Sequence, residues 1–153
     1  MYSFQGQCVV LGGDYNNYID KKVFKTVESY DHHLDKWSFL PEMQAARYKP
    51  GVFTKGNKLF AICGVGYLFY FLKTSEVYDS ISKKFTFIAS FPDNLWTGNL
   101  FCTYSNGRNI IVIYGNYYCF YNITTNIWSE SHLLESEKTI KGYSCVEVNK
   151  LIK

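Results

Sequence analysis

Apolar positions along the chain fall in short bursts, each closed by a turn signal. Three of these bursts end in glycine: Cys8-Val9-Val10-Leu11-Gly12-Gly13, Leu59-Phe60-Ala61-Ile62-Cys63-Gly64 and Ile110-Ile111-Val112-Ile113-Tyr114-Gly115. A run of four to six apolar residues ending at Gly predicts a buried strand entering a tight turn. The closing glycines, Gly13, Gly64 and Gly115, stand 51 residues apart both times. Beyond each lies a second segment ending in Tyr: Val27–Tyr30, Glu76–Tyr78 and Cys119–Tyr121. Seven residues past each Tyr comes a large aromatic: Trp37, Phe85 and Trp128. The interval stays constant while the loop before each Tyr shortens from unit to unit. A fixed short interval beside variable loops predicts a repeated hairpin whose turn sets the register.

The segments ahead of the glycine runs repeat as well. Gly51–Leu59 and Gly98–Arg108 each read as a short apolar strand followed by a Gly-containing turn, and the pattern starts again at Gly142. Each unit therefore predicts four short strands: an inner one, the one ending in Gly, the one ending in Tyr, and an outer one carrying Trp or Phe. Four-stranded units of about 40–50 residues describe propeller blades. The expected fold class is all-β, a partial propeller of about three four-stranded antiparallel blades plus the start of a fourth. The predicted limits are about 1–43, 47–92 and 97–131, with the fourth blade beginning at about 140–153. No segment sustains helical spacing. The polar stretch 129–141 reads as an extended loop between blades. Because the pattern begins and ends in mid-blade, the expectation is a piece of a larger propeller.

Composition agrees with this pattern and narrows the function. Apolar residues make up 47% of the 153 residues, and aromatic ones 19%, with 14 Tyr and 12 Phe. Aromatic and β-branched side chains suit pleated, half-buried surfaces. The net charge of +3 comes from scattered Lys and Arg. No basic run resembles the footprint that phosphate neutralisation requires, so nucleic acid is not expected as a partner. Lys21-Lys22 and Lys83-Lys84 read as solvated turns.

The five cysteines, Cys8, Cys63, Cys102, Cys119 and Cys145, include no CxxC and mostly lie in apolar runs. They read as buried reduced thiols of a cytosolic protein rather than as a disulfide framework or a zinc site. No basic, apolar secretory leader opens the chain, and no apolar run reaches membrane-spanning length. A soluble, cytoplasmic protein without a membrane partner is expected.

At this point the residues resemble the kelch repeat. The carrying residues are Leu11-Gly12-Gly13, Tyr30-Asp31, Trp37, Leu40-Pro41, Met43 and Arg47, met in that order. The second unit keeps Arg47, Gly64, Tyr78-Asp79 and Pro92, with Cys63 and Phe85 substituted. The third keeps Gly115, Tyr121 and Trp128, with Tyr114 and Asn122 substituted and Gly98 where an Arg would stand. Gly12, Gly13, Gly64, Gly115, Tyr30, Tyr78, Tyr121, Trp37, Phe85 and Trp128 are thus expected to build the scaffold. Glycine releases the chain into a tight turn, while Tyr and Trp fill the wedge between blades.

The closest resemblance is to the BTB-kelch (kelch-like) group, through Leu40-Pro41-Glu42-Met43 and Arg47. It implies a non-catalytic protein-binding module, the substrate-recognition propeller of a cullin-RING ubiquitin ligase adaptor. Cullin itself would be reached only through BTB and BACK domains, which this sequence does not contain. Kelch proteins that bind actin or other cytoskeletal partners are an alternative, as is a fragment without independent activity.

By that resemblance, contacts would come from the loops 14–25, 65–73, 41–49 and 91–96. Tyr15, Asn16 and Tyr18 mix turn formers with exposed tyrosines. The run Gly66–Leu72 is too apolar for a solvated loop. It is either a partner site contributing Tyr67 and Tyr70, or an extension of strands packed in the sheet. Arg47, with Tyr48 beside it, either contacts an acidic partner or pairs locally with a carboxylate.

No catalytic motif occurs, and no cofactor is expected. For metal the chain offers His32, His33 and His132. The first two are adjacent in the turn after Tyr30, where neighbouring side chains are expected to point apart.

Overall fold

A computed structural model describes residues 2–16, 21–92, 100–105 and 107–133 (backbone only at 16, 21 and 100–105). The first stretch holds β1 (Tyr2–Phe4), β2 (Gln7–Leu11), β3 (Asp14–Asn16), β4 (Lys21–Val23), β5 (Val27–Asp31) and β6 (Lys36–Leu40). The middle holds β7 (Gly51–Lys55), β8 (Lys58–Ile62), β9 (Ser75–Asp79) and β10 (Lys84–Ile88). The last holds β11 (Leu100–Ser105), β12 (Asn109–Tyr114), β13 (Tyr117–Asn122), β14 (Ile127–Trp128) and β15 (His132–Leu133).

These strands form three antiparallel meanders, ordered β1-β2-β5-β6, β7-β8-β9-β10 and β11-β12-β13-β14. The register repeats from sheet to sheet. Cys8, Leu59 and Ile110 lie opposite Tyr30, Tyr78 and Tyr121, which in turn lie opposite Trp37, Phe85 and Trp128. The ring pairs repeat too, with centroids 5.2, 5.1 and 4.9 Å apart and interplanar angles of 40°, 33° and 44°. The seven-residue interval is therefore one hairpin built three times.

Its turn has a chemical cause in each unit. The Oδ1 of Asp31 accepts the backbone N–H groups of His33 and Leu34, and that of Asp79 those of Ile81 and Ser82. Asn122 does the same for Thr124 and Thr125 at 3.0 Å each. This side-chain capture of the backbone two and three residues on is why Asp or Asn follows the Tyr. One residue before each outer strand the backbone is left-handed, at Asp35 (φ 48°), Lys83 (φ 53°) and Asn126 (φ 57°). Two of these residues accept the hydroxyl of their Tyr: Tyr30 Oη to Asp35 at 2.5 Å and Tyr121 Oη to Asn126 at 2.8 Å.

The sheets stack face to face, and their inner strands β1, β7 and β11 come together. One apolar cluster lies between the first and second sheets, with Phe4, Val9, Leu11, Val27, Leu59, Ala61 and Tyr78. A second, between the second and third, includes Phe60, Ile62, Val77, Phe91, Ile110, Val112 and Tyr121. Successive residues of a strand face opposite sides, so the middle sheet feeds both clusters: Leu59 one way, Phe60 the other. Each fully buried large apolar side chain contributes about 1.5–3 kcal/mol. The architecture is all-β, a partial propeller of stacked four-stranded sheets.

Several expectations need correction. Trp37 was expected to fill an inter-blade wedge like Phe85 and Trp128, but it is 44% exposed because its face of the first sheet is the outermost one. The stretch from 129 is not wholly loop, since β15 adds to the third sheet by pairing with β13. His32 and His33 do lie in the exposed turn, yet their rings are only 3.8 Å apart. The predicted start of a fourth blade at 140–153 lies outside the described residues.

Candidate functional site

The connections between the second and third strands of each sheet gather at one end of the stack. In the first sheet this connection contains the hairpin β3–β4, and in the second a single 3₁₀ turn, Tyr67–Phe69. In the third it collapses to the two residues between β12 and β13, since Tyr114 pairs directly with Tyr117.

Glycine is required where the first of these loops leaves its strand. Gly12 has φ +58°, and a Cβ there would sit 2.0 Å from the carbonyl oxygen of Arg47. Cys63 occupies the corresponding place in the second sheet, with φ 52° and no exposure. Burial pushes its thiol up to about 12, so it stays protonated and is a poor nucleophile. Tyr121, in the second inter-sheet cluster, is likewise pushed up to about 12 by burial.

The segment leaving the first sheet is stitched into the bases of both loops. Met43 N–H donates to Lys25 O, Arg47 N–H to Phe24 O and Gly13 N–H to Arg47 O, at 2.9–3.0 Å. Tyr48 and Val65 then exchange backbone bonds of 2.9 Å in both directions. The loop bases thus belong to one hydrogen-bonded platform rather than to separate flexible tethers.

Arg47 is the keystone of this platform. Its side chain is fully buried and reaches Cys63 O, Thr74 O and the Glu76 carboxylate, at 2.5, 2.6 and 2.5 Å. Glu76, also fully buried, further accepts the backbone N–H groups of Gln44 (2.6 Å) and Ala45 (3.0 Å). Only the Arg47 Nε lacks an acceptor among the buried polar side-chain atoms of the described residues. Of the two sequence readings of Arg47, pairing with a carboxylate is the one formed, but the pair is not local: Glu76 lies in the third strand of the next sheet. Arg47 is 0% and Tyr48 8% exposed, so the expectation that they meet a partner gives way to a structural role.

What this end does present is aromatic. Tyr15 is 54% exposed, and Tyr67, Leu68, Phe69 and Tyr70 are 59–70% exposed. The apolar run is therefore not a strand extension over 67–70. It turns outward, held by Gly66 N–H donating to Tyr70 O at 2.8 Å and Leu72 N–H to Gly64 O at 2.9 Å. Leu68 (φ 55°) and Phe69 (φ 63°) are left-handed, a conformation that costs about 1–2 kcal/mol per non-Gly residue. Strand β4 packs beside this turn, and Phe24 just beyond it is 38% exposed. Asn16 lies at the end of β3, and Tyr18 lies outside the described residues.

Among the described residues no three or more His, Cys, Asp or Glu come together as a metal-binding group. His132 instead lies against the ring of Tyr118, with centroids 5.2 Å apart. A shallow groove on the third sheet, about 350 Å³, is lined by Asn109, Phe120, Asn122, Thr125, Ile127, Trp128 and Ser129, none of them an acid, a base or a thiol. No described helix is long and apolar enough to cross a membrane.

Comparison with known families agrees with this geometry. The family described as Kelch motif matches residues 3–44, which span the first sheet and run to Met43 and Gln44. This supports a kelch-repeat protein, and kelch repeats in general mediate protein–protein binding. The second and third sheets reproduce the register of the matched one, although the match itself ends at residue 44. No curated protein matches the chain.

Proposed function

We propose that this chain is a cytoplasmic, non-catalytic recognition module that binds a protein through the aromatic loop end of its stacked sheets. The observation that carries the reading is the exposure of Tyr67–Tyr70 on a strained turn whose base is hydrogen-bonded into the platform. Large aromatic side chains held in a fixed position contribute area at small entropic cost, which is how binding hot spots are built. Adjacent aromatic residues of this number are otherwise uncommon on a solvated loop. Tyr15 of the neighbouring hairpin extends the surface, and Asn16 follows it in β3.

Within that reading, the partner class is the substrate of a cullin-RING ubiquitin ligase, recognised as a BTB-kelch propeller recognises its target. The support is the Leu40-Pro41-Glu42-Met43 and Arg47 combination. Here it forms the linker between two sheets rather than a contact with the partner.

The test is capture from cell extract with the chain and with Tyr67→Ser/Tyr70→Ser. Proteins recovered by the parent and lost by the variant, with ubiquitin-modified forms among them, support the reading. Equal recovery by both chains removes the loop end as the binding surface, and filament co-sedimentation alone replaces the ligase substrate with a cytoskeletal partner.

A further inference from the structure

Lysines that stand scattered in the sequence are gathered by register at one end of the second sheet. Lys55 faces Lys58, Lys58 faces Asp79, and Asp79 faces Lys84, so one rung crosses all four strands. Residues opposed across neighbouring strands share a face, so these four side chains stand in a row. At about 4.8 Å per strand the row is roughly 14 Å long. Lys83 adjoins it in the turn before β10. Lys55, Lys83 and Lys84 are exposed and Lys58 is half-buried. Four lysines against one aspartate leave an excess of three cations, as large as the net charge of the whole chain. The row lies at the hairpin-turn end of the strands, opposite the aromatic loop end.

The fold does not require this row. At the matching place in the first sheet, Phe4 faces Gln7, Gln7 donates its amide to Asp31 at 3.3 Å, and Asp31 faces Lys36, with charge in balance. The third sheet has Ser105, Asn109, Asn122 and Ile127 there, with no charge at all. Lys55 and Lys58 oppose each other directly, an arrangement that weakens a sheet. The Asp79 carboxylate is already occupied, because its Oδ1 accepts Asn57 Nδ2 and the N–H groups of Ile81 and Ser82 at 2.8–3.3 Å. Among the described residues, Lys58, Lys83 and Lys84 form no ion pair. A row of like charges that strains its own sheet and is absent from the two sister sheets points to binding rather than to the scaffold.

Charge complementarity calls for an anion, and the surroundings select its kind. Ile81, at the tip of the same turn, is 82% exposed and offers an apolar contact that a peptide can use. No exposed aromatic ring stands beside the lysines to stack a base, and three net cations fall short of the roughly six to ten phosphate contacts typical of nucleic-acid binding. One isoleucine is too small an apolar face to seat in a bilayer. An extended chain places alternate side chains on one face about 7 Å apart, so about five residues cover the row.

We propose that the basic rung of the second sheet binds an extended acidic segment of a partner protein, its alternate carboxylates reaching Lys55, Lys58 and Lys84 and an apolar residue resting on Ile81. This surface is separate from the aromatic loop end, and neither needs the other.

The probe is a capped synthetic peptide of four Glu-Thr repeats ending in valine, titrated into the labelled chain at low salt. The amide resonances of Lys58, Ile81 and Lys84 are expected to move together. Raising the salt from about 20 to about 300 mM should weaken binding about tenfold. Lys55→Gln/Lys58→Gln/Lys84→Gln should weaken it about tenfold or more, whereas the same three changes to Arg should preserve it. The thermal midpoint of the glutamine variant should not fall, and relief of the opposed charges should raise it by about 1–3 °C.

Failure of the parent chain to bind the peptide, or equal binding by the glutamine variant, overturns the proposal. A midpoint lowered by more than about 4 °C also overturns it, because the lysines then belong to the scaffold. Tighter binding to phosphatidylcholine–phosphatidylserine vesicles or to oligothymidylate than to the peptide, at equal salt, replaces the protein partner and contradicts it as well. Tyr67→Ser/Tyr70→Ser should leave peptide binding unchanged, and its loss there would move the acidic segment to the loop end and away from the rung.

Discussion

The Glu76 carboxylate and the Arg47 guanidinium meet at 2.5 Å with neither side chain exposed, joining the segment that leaves the first sheet to the third strand of the second. Two backbone N–H groups complete the carboxylate's partners, and two carbonyls share the guanidinium. A buried pair of this kind adds little over apolar residues of equal volume, because desolvation offsets the attraction, but removing one member strands the other. Arg47→Met should therefore destabilise the chain by about 3–5 kcal/mol in urea titration. Restoring an apolar match with Arg47→Met/Glu76→Leu should recover part of that loss.

Gly12 and Gly13 make a contrasting pair. Both have positive φ, but only Gly12 has a backbone carbonyl in the space a Cβ would fill. Gly12→Ala should cost about 3 kcal/mol or more, combining a disfavoured backbone with a clash that a rigid platform relieves poorly. Gly13→Ala meets open space and should cost about 1–2 kcal/mol. Chemical denaturation of the two variants gives the comparison directly, and equal costs would show that the contact with Arg47 O does not constrain the turn.

Lys83 is left-handed where the first and third sheets place Asp35 and Asn126. Asn tolerates this conformation, and Asn126 shows that it can also accept the Tyr hydroxyl. Lys83→Asn is expected to raise stability by about 0.5–1 kcal/mol, read as a higher thermal midpoint.

Acid should loosen the Tyr-Asp turns. Asp31 is held below its ordinary value of 3.8 chiefly by the backbone N–H groups of His33 and Leu34. Asp79 is lowered in the same way, chiefly by Ile81 N–H. A carboxylate with a depressed folded-state value contributes stability that is fully present above the unfolded value and lost as pH falls through the folded one. The loss is thus confined to below about pH 4. Asp79→Asn keeps the acceptor, as Asn122 does in the third sheet, and should make unfolding less steep in that range. An unchanged acid profile would mean that Asp79 titrates alike in both states.

The parts legible in the sequence were those set by local intervals. Gly13, Gly64 and Gly115 mark the ends of strands, and the spacing from Tyr to the following aromatic is fixed by one four-residue turn, so counting along the chain was sufficient. The parts that escaped depend on contacts between distant positions. Nothing local distinguishes Arg47 as a buried ion-pair donor, because Glu76 lies far along the chain and only the stacking of two sheets brings them together. A signal was present, since Glu28 and Glu76 stand at the same place, two residues before Tyr30 and Tyr78, but its meaning required the register. The exposure of Trp37 was hidden for a related reason, as a repeat does not say which copy lies at the edge of the stack. The apolar run Gly66–Leu72 resembled a strand in composition, and its outward turn rests on left-handed residues at Leu68 and Phe69 that propensity disfavours.

Aromatic-ring proximity measured by NMR in solution tests the repeated register most directly. The stacked-sheet account predicts cross-peaks from Tyr78 to Phe85 within its sheet and to Phe4 of the first sheet, and from Tyr121 to Trp128 and to Phe60 of the second. Tyr30 should reach Trp37, with no inter-sheet aromatic neighbour among the described residues. Absence of the Tyr78–Phe4 and Tyr121–Phe60 contacts, with the intra-sheet pairs intact, would contradict the stacking of these hairpins into a propeller.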